Sequence, residues 1–409
     1  MTISQISNLK SQILPPQPLF PRPQPLPFPM SSVATQREVV RRKLKSLYAP
    51  VVAELEQVEQ LLRTELRNEH ACVDELAQHA FRLGGKRLRP ALVLLSGKAC
   101  GGLNHDHTVL AAVVEMIHTA TLVHDDILDE ATLRRHLETV NSRWGNKSGV
   151  LLGDYLFTHA FYLASTLSST FACRMIGRAT NIVCEGELRQ IHTQGNFSVT
   201  EADYLSIIEA KTAELCSCCC SLGAHYAGAA QHASNPAGVH AGNPAGVHAG
   251  NPAGVHAGNP AGVHAGNPAG VHAGNPAGVV ESLGRFGRNL GIAFQIADDL
   301  LDVWGDEDQV GKSLGTDLDQ QKPTLPLIHL LAQLSSHDRA DLISSLQRAG
   351  EHAREVLAPW FARTDALAYA HEKAASYAAL ARDELAPLPS SPAKSLLEDL
   401  ADFVVTRRD

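Results

Sequence analysis

From Glu38 onward, apolar residues recur at spacings of three and four: Val40, Leu44, Leu47, Val51, Leu55, Val58, Leu62 and Leu66. That is the stripe of an amphipathic helix, and Pro50 predicts a kink in it. A second helix is expected over 72–83, with Gly84-Gly85 as its stop. Pro90 is expected to open the next helix, at a position where its missing N–H costs nothing. The same period predicts helices over 90–101, 107–130, 149–167, 171–193, 201–230, 280–304, 324–333, 339–348, 350–358, 364–384 and 391–407. No stretch shows the sustained two-residue alternation of a strand. The pattern predicts an all-α fold in a single domain.

Two segments stand outside that pattern. Residues 1–36 carry Pro15, Pro16, Pro18, Pro21, Pro23, Pro25, Pro27 and Pro29, which favour an extended, solvated chain and oppose an amphipathic targeting helix. Residues 235–279 contain five octapeptides, each reading Asn-Pro-Ala-Gly-Val-His-Ala-Gly, followed by the partial copy Asn275–Val279. Removing the five octets leaves an ordinary short connection, so the segment reads as a tandem duplication inside a loop of the domain spanning 37–409. Closure entropy rises slowly with length, and loops tolerate such growth. The histidines His240, His248, His256, His264 and His272 stand singly in a Gly- and Pro-containing tract, which favours a spacer over a metal site.

Composition narrows the class. The chain has 409 residues, 44% of them hydrophobic but only 5% aromatic, in keeping with a large helical core. A net charge of −8 argues against a nucleic-acid partner. No apolar run reaches bilayer length. Of eight cysteines, four crowd at Cys216, Cys218, Cys219 and Cys220, unlike a secreted disulfide framework. A reducing, cytoplasmic compartment is inferred. Successive helical residues point in different directions, so these four predict small packing residues and not a zinc site.

The chemistry is concentrated in a repeated acidic pattern. Asp125-Asp126-Ile127-Leu128-Asp129 and Asp298-Asp299-Leu300-Leu301-Asp302 lie far apart, each flanked by apolar residues. Burying carboxylates is expensive unless cations meet them. On a helix the first and fifth residues share a face. Two such helices facing each other predict a cage of up to six carboxylates, suited to magnesium carrying a diphosphate. Cations flank both motifs: Lys86, Arg87 and Arg89 at a helix start, Arg134-Arg135, Lys211, and Lys312. They suit two diphosphates, one held through metal and one directly.

Together, Gly84-Gly85-Lys86-Arg87-Leu88-Arg89-Pro90, His118, both aspartate motifs, Arg134-Arg135, Gly153-Asp154-Tyr155, Lys211-Thr212, Phe294-Gln295 and Lys312 resemble the trans-isoprenyl diphosphate synthases of the polyprenyl synthetase family. The resemblance runs from about residue 38 to 409, minus the repeat. It implies a helical bundle around a central cavity, a homodimer, and condensation of isopentenyl diphosphate with an allylic diphosphate. It implies Mg2+ at Asp125, Asp129 and Asp298, with Asp126, Asp299 and Asp302 in support. Lys86, Arg89, His118 and Arg135 match positions that hold isopentenyl diphosphate. Arg134, Lys211, Lys312 and Lys322 match those that hold the allylic diphosphate. Thr212 and Gln295 match positions lining the reacting carbons. A terpene cyclase is disfavoured by the second Asp-rich motif and by Lys86/Arg89, and a non-catalytic regulatory subunit by retention of both motifs.

Product length is expected to follow the residues upstream of Asp125. Ala120, Thr121 and Ile117, with Val113 and Val114 beyond, include no aromatic. The expected product has twenty carbons or more, with a geranylgeranyl or farnesyl product as the alternative. A peripheral membrane contact for product release is also expected.

Overall fold

The computed structural model describes residues 48–83, 85, 87–135, 137–227, 277–304 and 316–406. The expected Pro-rich segment 1–36, most of the repeat, Lys86 and Lys312 lie outside the described residues. A 3-10 turn at Ala49–Val51 places Pro50 before α1 (Val52–Glu65), so the proline marks the helix entry. Then follow α2 (Ala71–Arg82), α3 (Leu88–Ala99), α4 (His105–Leu128), the two-residue strands β1 (Leu133–Arg134) and β2 (Leu137–Glu138), α5 (Val140–Trp144), α6 (Asn146–Ser165), α7 (Phe171–Thr193) and α8 (Glu201–Ile208). A π-helical turn at Glu209–Ala213 leads into α9 (Glu214–Ala227). The remainder is α10 (Ala277–Trp304), α11 (Thr316–Asp319), α12 (Leu325–Gln333), α13 (Ser336–Ala349), α14 (Ala353–Phe361), α15 (Ala366–Asp383) and α16 (Pro392–Thr406). The fold is all-α, as the periodicity predicts.

Local chemistry sets the ends. Asn104 and His107 form a reciprocal capping box at the start of α4, as Thr200 and Asp203 do at α8. α3 begins at Leu88, two residues before the expected Pro90. The proline is still tolerated, because the first four N–H groups of a helix have no acceptor within it. The hairpin and α5 interrupt what the sequence pattern left as a loop. Two-residue strands are too short to show alternation.

The core lies among α3, α4, α9, α10 and α15, with α6 packed on α4. α9 and α10 run antiparallel at unusually close range. A Cβ on Gly287 would lie 2.5 Å from the Cys216 carbonyl oxygen, and one on Gly291 would lie 2.6 Å from Ala213 Cα. The four crowded cysteines are buried in this layer, and burial pushes the Cys218 thiol up to about 12. They act as small apolar residues filling a seam.

Gly287→Val would put a branched side chain against backbone that cannot yield. Overpacking of this kind costs about 1–3 kcal/mol, and denaturant unfolding should show that loss as a lower midpoint.

Candidate functional site

α4 delivers the first acidic motif in its last turn, and Asp129 caps the helix by donating its N–H to the Asp125 carbonyl at 2.8 Å. The chain then reverses through Glu130 (φ +51°) and the β1–β2 hairpin. Asn141 ties the reversal down, its Nδ2 donating to the carbonyls of Asp126 (3.2 Å) and Ala131 (3.0 Å). The return brings Arg134 to Asp126: Nη2 meets Oδ1 at 2.7 Å and Nε at 2.9 Å. Asp126 is only 2% exposed. Burial raises its pKa and the Arg134 guanidinium opposes that rise.

Arg134 belongs to a larger cationic group. His118 lies on α4 among Arg89, Arg134, Arg135 and Arg87; burial first, and then these four charges, hold its imidazole well below its ordinary pKa. It is therefore a neutral hydrogen-bonding group at pH 7. Arg87 is spent structurally, on Glu59 and on the buried Glu115, each at 2.5 Å. Arg89 Nε is buried with no hydrogen-bond partner. Burial, Arg134 and Arg87 together lower the pKa of Arg135. Its guanidinium occupies the space over Gly85, where a Cβ would lie 2.4 Å from Nη2. Arg89, Arg135 and neutral His118 thus make a region of positive potential.

On the other side of the motif, Lys211 projects from the π-turn. There the Glu214 N–H reaches back five residues to the Glu209 carbonyl. α7 meets this turn through Gly186, where a Cβ would lie 2.7 Å from the Lys211 nitrogen. Lys211 Nζ contacts Glu187 at 2.5 Å and donates to Gln190 at 2.7 Å. Burial works against the ammonium, but Asp125, Glu187 and Asp129 outweigh it and raise the pKa. Burial also raises the Asp125 carboxyl to about 6, with Lys211 and Arg134 pulling it back. Asp125 therefore sits within the field of both cationic groups.

The second motif, on α10, opens into the same space. A cavity of about 170 Å³ is lined by Asp129, Lys211, Thr212, Gln295, Asp299, Asp317 and Lys322, among others. Lys322 Nζ meets Asp129 at 3.1 Å. Thr212 donates to Gln295 Oε1 at 2.8 Å, and Gln295 Nε2 donates to Asp299 at 2.8 Å. The other Asp299 oxygen accepts from Tyr204 at 2.6 Å. Burial, Asp317 and Asp298 push the Asp299 carboxyl up.

The six aspartates do not converge as one cage. Asp126, Asp299 and Asp302 are 2%, 5% and 1% exposed and are turned to protein donors, Asp302 accepting the Asp317 N–H at 3.1 Å. Asp125, Asp129 and Asp298 are only half-buried. Among the described residues no group of three or more carboxylate, thiol or imidazole side chains is arranged to hold an ion alone. An all-oxygen donor set beside lysines suits a hard cation that takes the rest of its shell from water and phosphate. Desolvated carboxylates such as Asp125 would be relieved by it.

Ile117 and Ala120 are 1% and 0% exposed, within the core. Thr121 is half-buried and donates to the His118 carbonyl at 2.8 Å. None of the three lines the described cavity. Sequence reading passed over Glu187, Gln190 and Tyr204. The available signal was a polar pair three residues apart beside Gly186, and a tyrosine two turns before Lys211.

A family model described as polyprenyl synthetase matches residues 70–247 and 264–360; the gap between the two stretches falls inside the octapeptide repeat. The all-trans-nonaprenyl-diphosphate synthase (geranyl-diphosphate specific) of Rhodobacter capsulatus is 32% identical over 364 residues, covering 89% of this chain and 98% of its own. The octaprenyl diphosphate synthase of Escherichia coli (strain K12) is 31% identical, covering 84% and 92%. The crystal structure of a polyprenyl synthase from Caulobacter crescentus CB15, complexed with calcium and isoprenyl diphosphate, matches with a TM-score of 0.73 and 32% identity over 90% of this chain and 98% of that one.

Arg134→Ala would strand the Asp126 carboxylate in the protein interior. Breaking one side of a buried pair costs about 3 kcal/mol. Denaturant unfolding should show a loss of that order, and a smaller one when Asp126→Ala is added.

Proposed function

The chain belongs to the polyprenyl synthetase family, and on that premise we propose that it uses magnesium to condense isopentenyl diphosphate with an allylic diphosphate. It is a trans-prenyltransferase of the chain-elongating kind, giving products of twenty carbons or more. The observation that carries the site assignment is that Asp129 and Asp299, from two remote motifs, line one cavity with Lys211 and Lys322.

The residues divide the work. Lys211 and Lys322 hold the allylic diphosphate at the cavity, and the resemblance of the sequence assigns Lys312 the same role. Arg134 spends Nε and Nη2 on Asp126 and offers Nη1. Arg89, Arg135 and His118, with Lys86, hold isopentenyl diphosphate; a neutral imidazole can donate one hydrogen bond to phosphate without adding charge. The half-buried Asp125, Asp129 and Asp298 hold magnesium, with Asp126, Asp299 and Asp302 orienting the surroundings. When bound, the metal stabilises the negative charge that develops on the leaving pyrophosphate. Fixed cations aimed at that charge lower the barrier to allylic ionisation. The double bond of isopentenyl diphosphate then attacks the allylic carbon. Departing pyrophosphate takes the proton, so no side-chain base is required. Water must be kept from the cation, and the apolar part of the lining, Val199, Ile207 and Ile208, serves that end.

We also propose a homodimer, supported by apolar side chains left exposed on α6 and α7: Leu151 is 68% exposed, Tyr162 64% and Leu188 69%. A cytoplasmic location with peripheral membrane contact during product release accords with a long apolar product. No helix among the described residues is long and apolar enough to cross a membrane. The absence of aromatics at Ala120, Thr121 and Ile117 supports the longer polyprenyl range over a geranylgeranyl or farnesyl product.

Incubation of the purified protein with isopentenyl diphosphate, a set of allylic primers and magnesium should give polyprenyl diphosphates, sized by chromatography. A chelator should abolish turnover and added magnesium should restore it; elongation that persists in chelator would sink the metal assignment.

Thr121→Phe should shorten the product. Thr121 lies one turn before Asp125 and is half-buried, so a ring fits there with less strain than at fully buried Ala120. An unchanged product spectrum would show that this face of α4 does not limit growth.

A further inference from the structure

Four side chains from three elements form a directed chain: Tyr204 on α8, Asp299 and Gln295 on α10, and Thr212 in the π-turn. Tyr204 OH donates to Asp299 Oδ2 at 2.6 Å and Gln295 Nε2 to Asp299 Oδ1 at 2.8 Å. Both oxygens of Asp299 accept in this arrangement. The amide of Gln295 is then fixed in one orientation, its nitrogen toward Asp299 and its oxygen toward Thr212. Thr212 donates its only hydroxyl proton to that oxygen, at 2.8 Å. A hydroxyl has one proton and two lone pairs, so the lone pairs of Thr212 Oγ1 are what remains for the cavity. All four residues line that cavity.

We propose that Tyr204 and Asp299 are positioning residues that set the polarity of this chain, so that Thr212 and Gln295 present oxygen, not hydrogen, toward the electron-poor allylic carbon. The inference rests on the prenyl-transfer reading. With the amide reversed, Gln295 would aim its oxygen at the Asp299 carboxylate and its N–H toward Thr212. Thr212 would then be free to turn its proton to the cavity, against a developing cation. Tyr204 keeps the carboxylate in place: it is 4% exposed, and its hydroxyl proton is spent on Asp299 Oδ2.

The test uses the full-length enzyme with isopentenyl diphosphate, an allylic diphosphate and magnesium. Tyr204→Phe removes one oxygen from the far end of the chain. It should lower kcat about ten- to a hundredfold, while KM for both substrates and the magnesium needed for half-maximal rate stay within about threefold. Thr212→Val should lower kcat comparably. The double variant should lose no more than the worse single one, because both break one unit. Asp299→Asn, which can bond in either amide orientation, provides a second route to the same outcome. A kcat within twofold of the parent for Tyr204→Phe or Asp299→Asn, or losses that multiply in the Tyr204→Phe/Thr212→Val double, would overturn the proposal. A parent enzyme that does not elongate at all would instead refute the prenyl-transfer reading.

Discussion

The site depends on a single electrostatic constraint: carboxylates withdrawn from water must be met by cations or hydrogen-bond donors. Asp126 is met by Arg134, Asp129 by Lys322, and Asp125 lies in the field of Lys211. The local backbone is explained by the need to deliver those cations. The hairpin after α4 turns Arg134 back onto the helix it has just left. The π-turn directs Lys211 off the regular helical path, and Gly186 lets α7 approach close enough to clamp it. Gln321, in the left-handed region at φ +53°, holds the bend before Lys322, and its carbonyl accepts the Gly195 N–H at 2.9 Å. Removing the hairpin that returns Arg134 leaves the buried Asp126 charge without its partner, at a cost of about 3 kcal/mol.

The same constraint explains why the two motifs, identical in pattern, are not equivalent position by position. Helical spacing groups the first and fifth residues of each motif. It cannot say which carboxylate faces water. In the first motif the second residue, Asp126, is captured by Arg134. In the second, Asp299 and Asp302 are both buried, and Asp298 alone stays half-buried. Of the partners that decide this, Tyr204 is distant in sequence and the Asp317 N–H belongs to the backbone; only Gln295, one turn before Asp299, lies close by. A cage of six was therefore the natural expectation from spacing, and a split between half-buried and captured aspartates is what packing produces.

The helices themselves were legible because each buries one apolar stripe, and the three-four period reports that directly. α7 runs from Phe171 to Thr193, the limits the period predicts. What escaped detection was short or local. A two-residue strand has no period, five-residue α5 has barely one turn, and the π-turn has the composition of the helix around it. Arg87 was legible as a charge near the site but not as the counterion of Glu115, since that pairing joins α4 to the entry of α3. Glu187 and Gln190 had only their spacing to announce them.

The geometry of α9 and α10 accords with a tandem repeat in the segment between them. Gly284, Gly287 and Gly291 seat α10 against Ser221, Cys216 and Ala213. The two helices are thus held by their own contact faces and do not depend on the chain that joins them. They are antiparallel, with Lys211-Thr212 just before α9 and Gln295-Asp298-Asp299 in the second half of α10. Ala227 and Ala277, where the connection attaches, are therefore at the other end of the pair. At 1.5 Å per residue, the sixteen steps from Lys211 to Ala227 span roughly 24 Å. A loop lengthened at that end would add only a closure entropy that grows with the logarithm of length. The seam stays intact, and every charged group of the site keeps its partner.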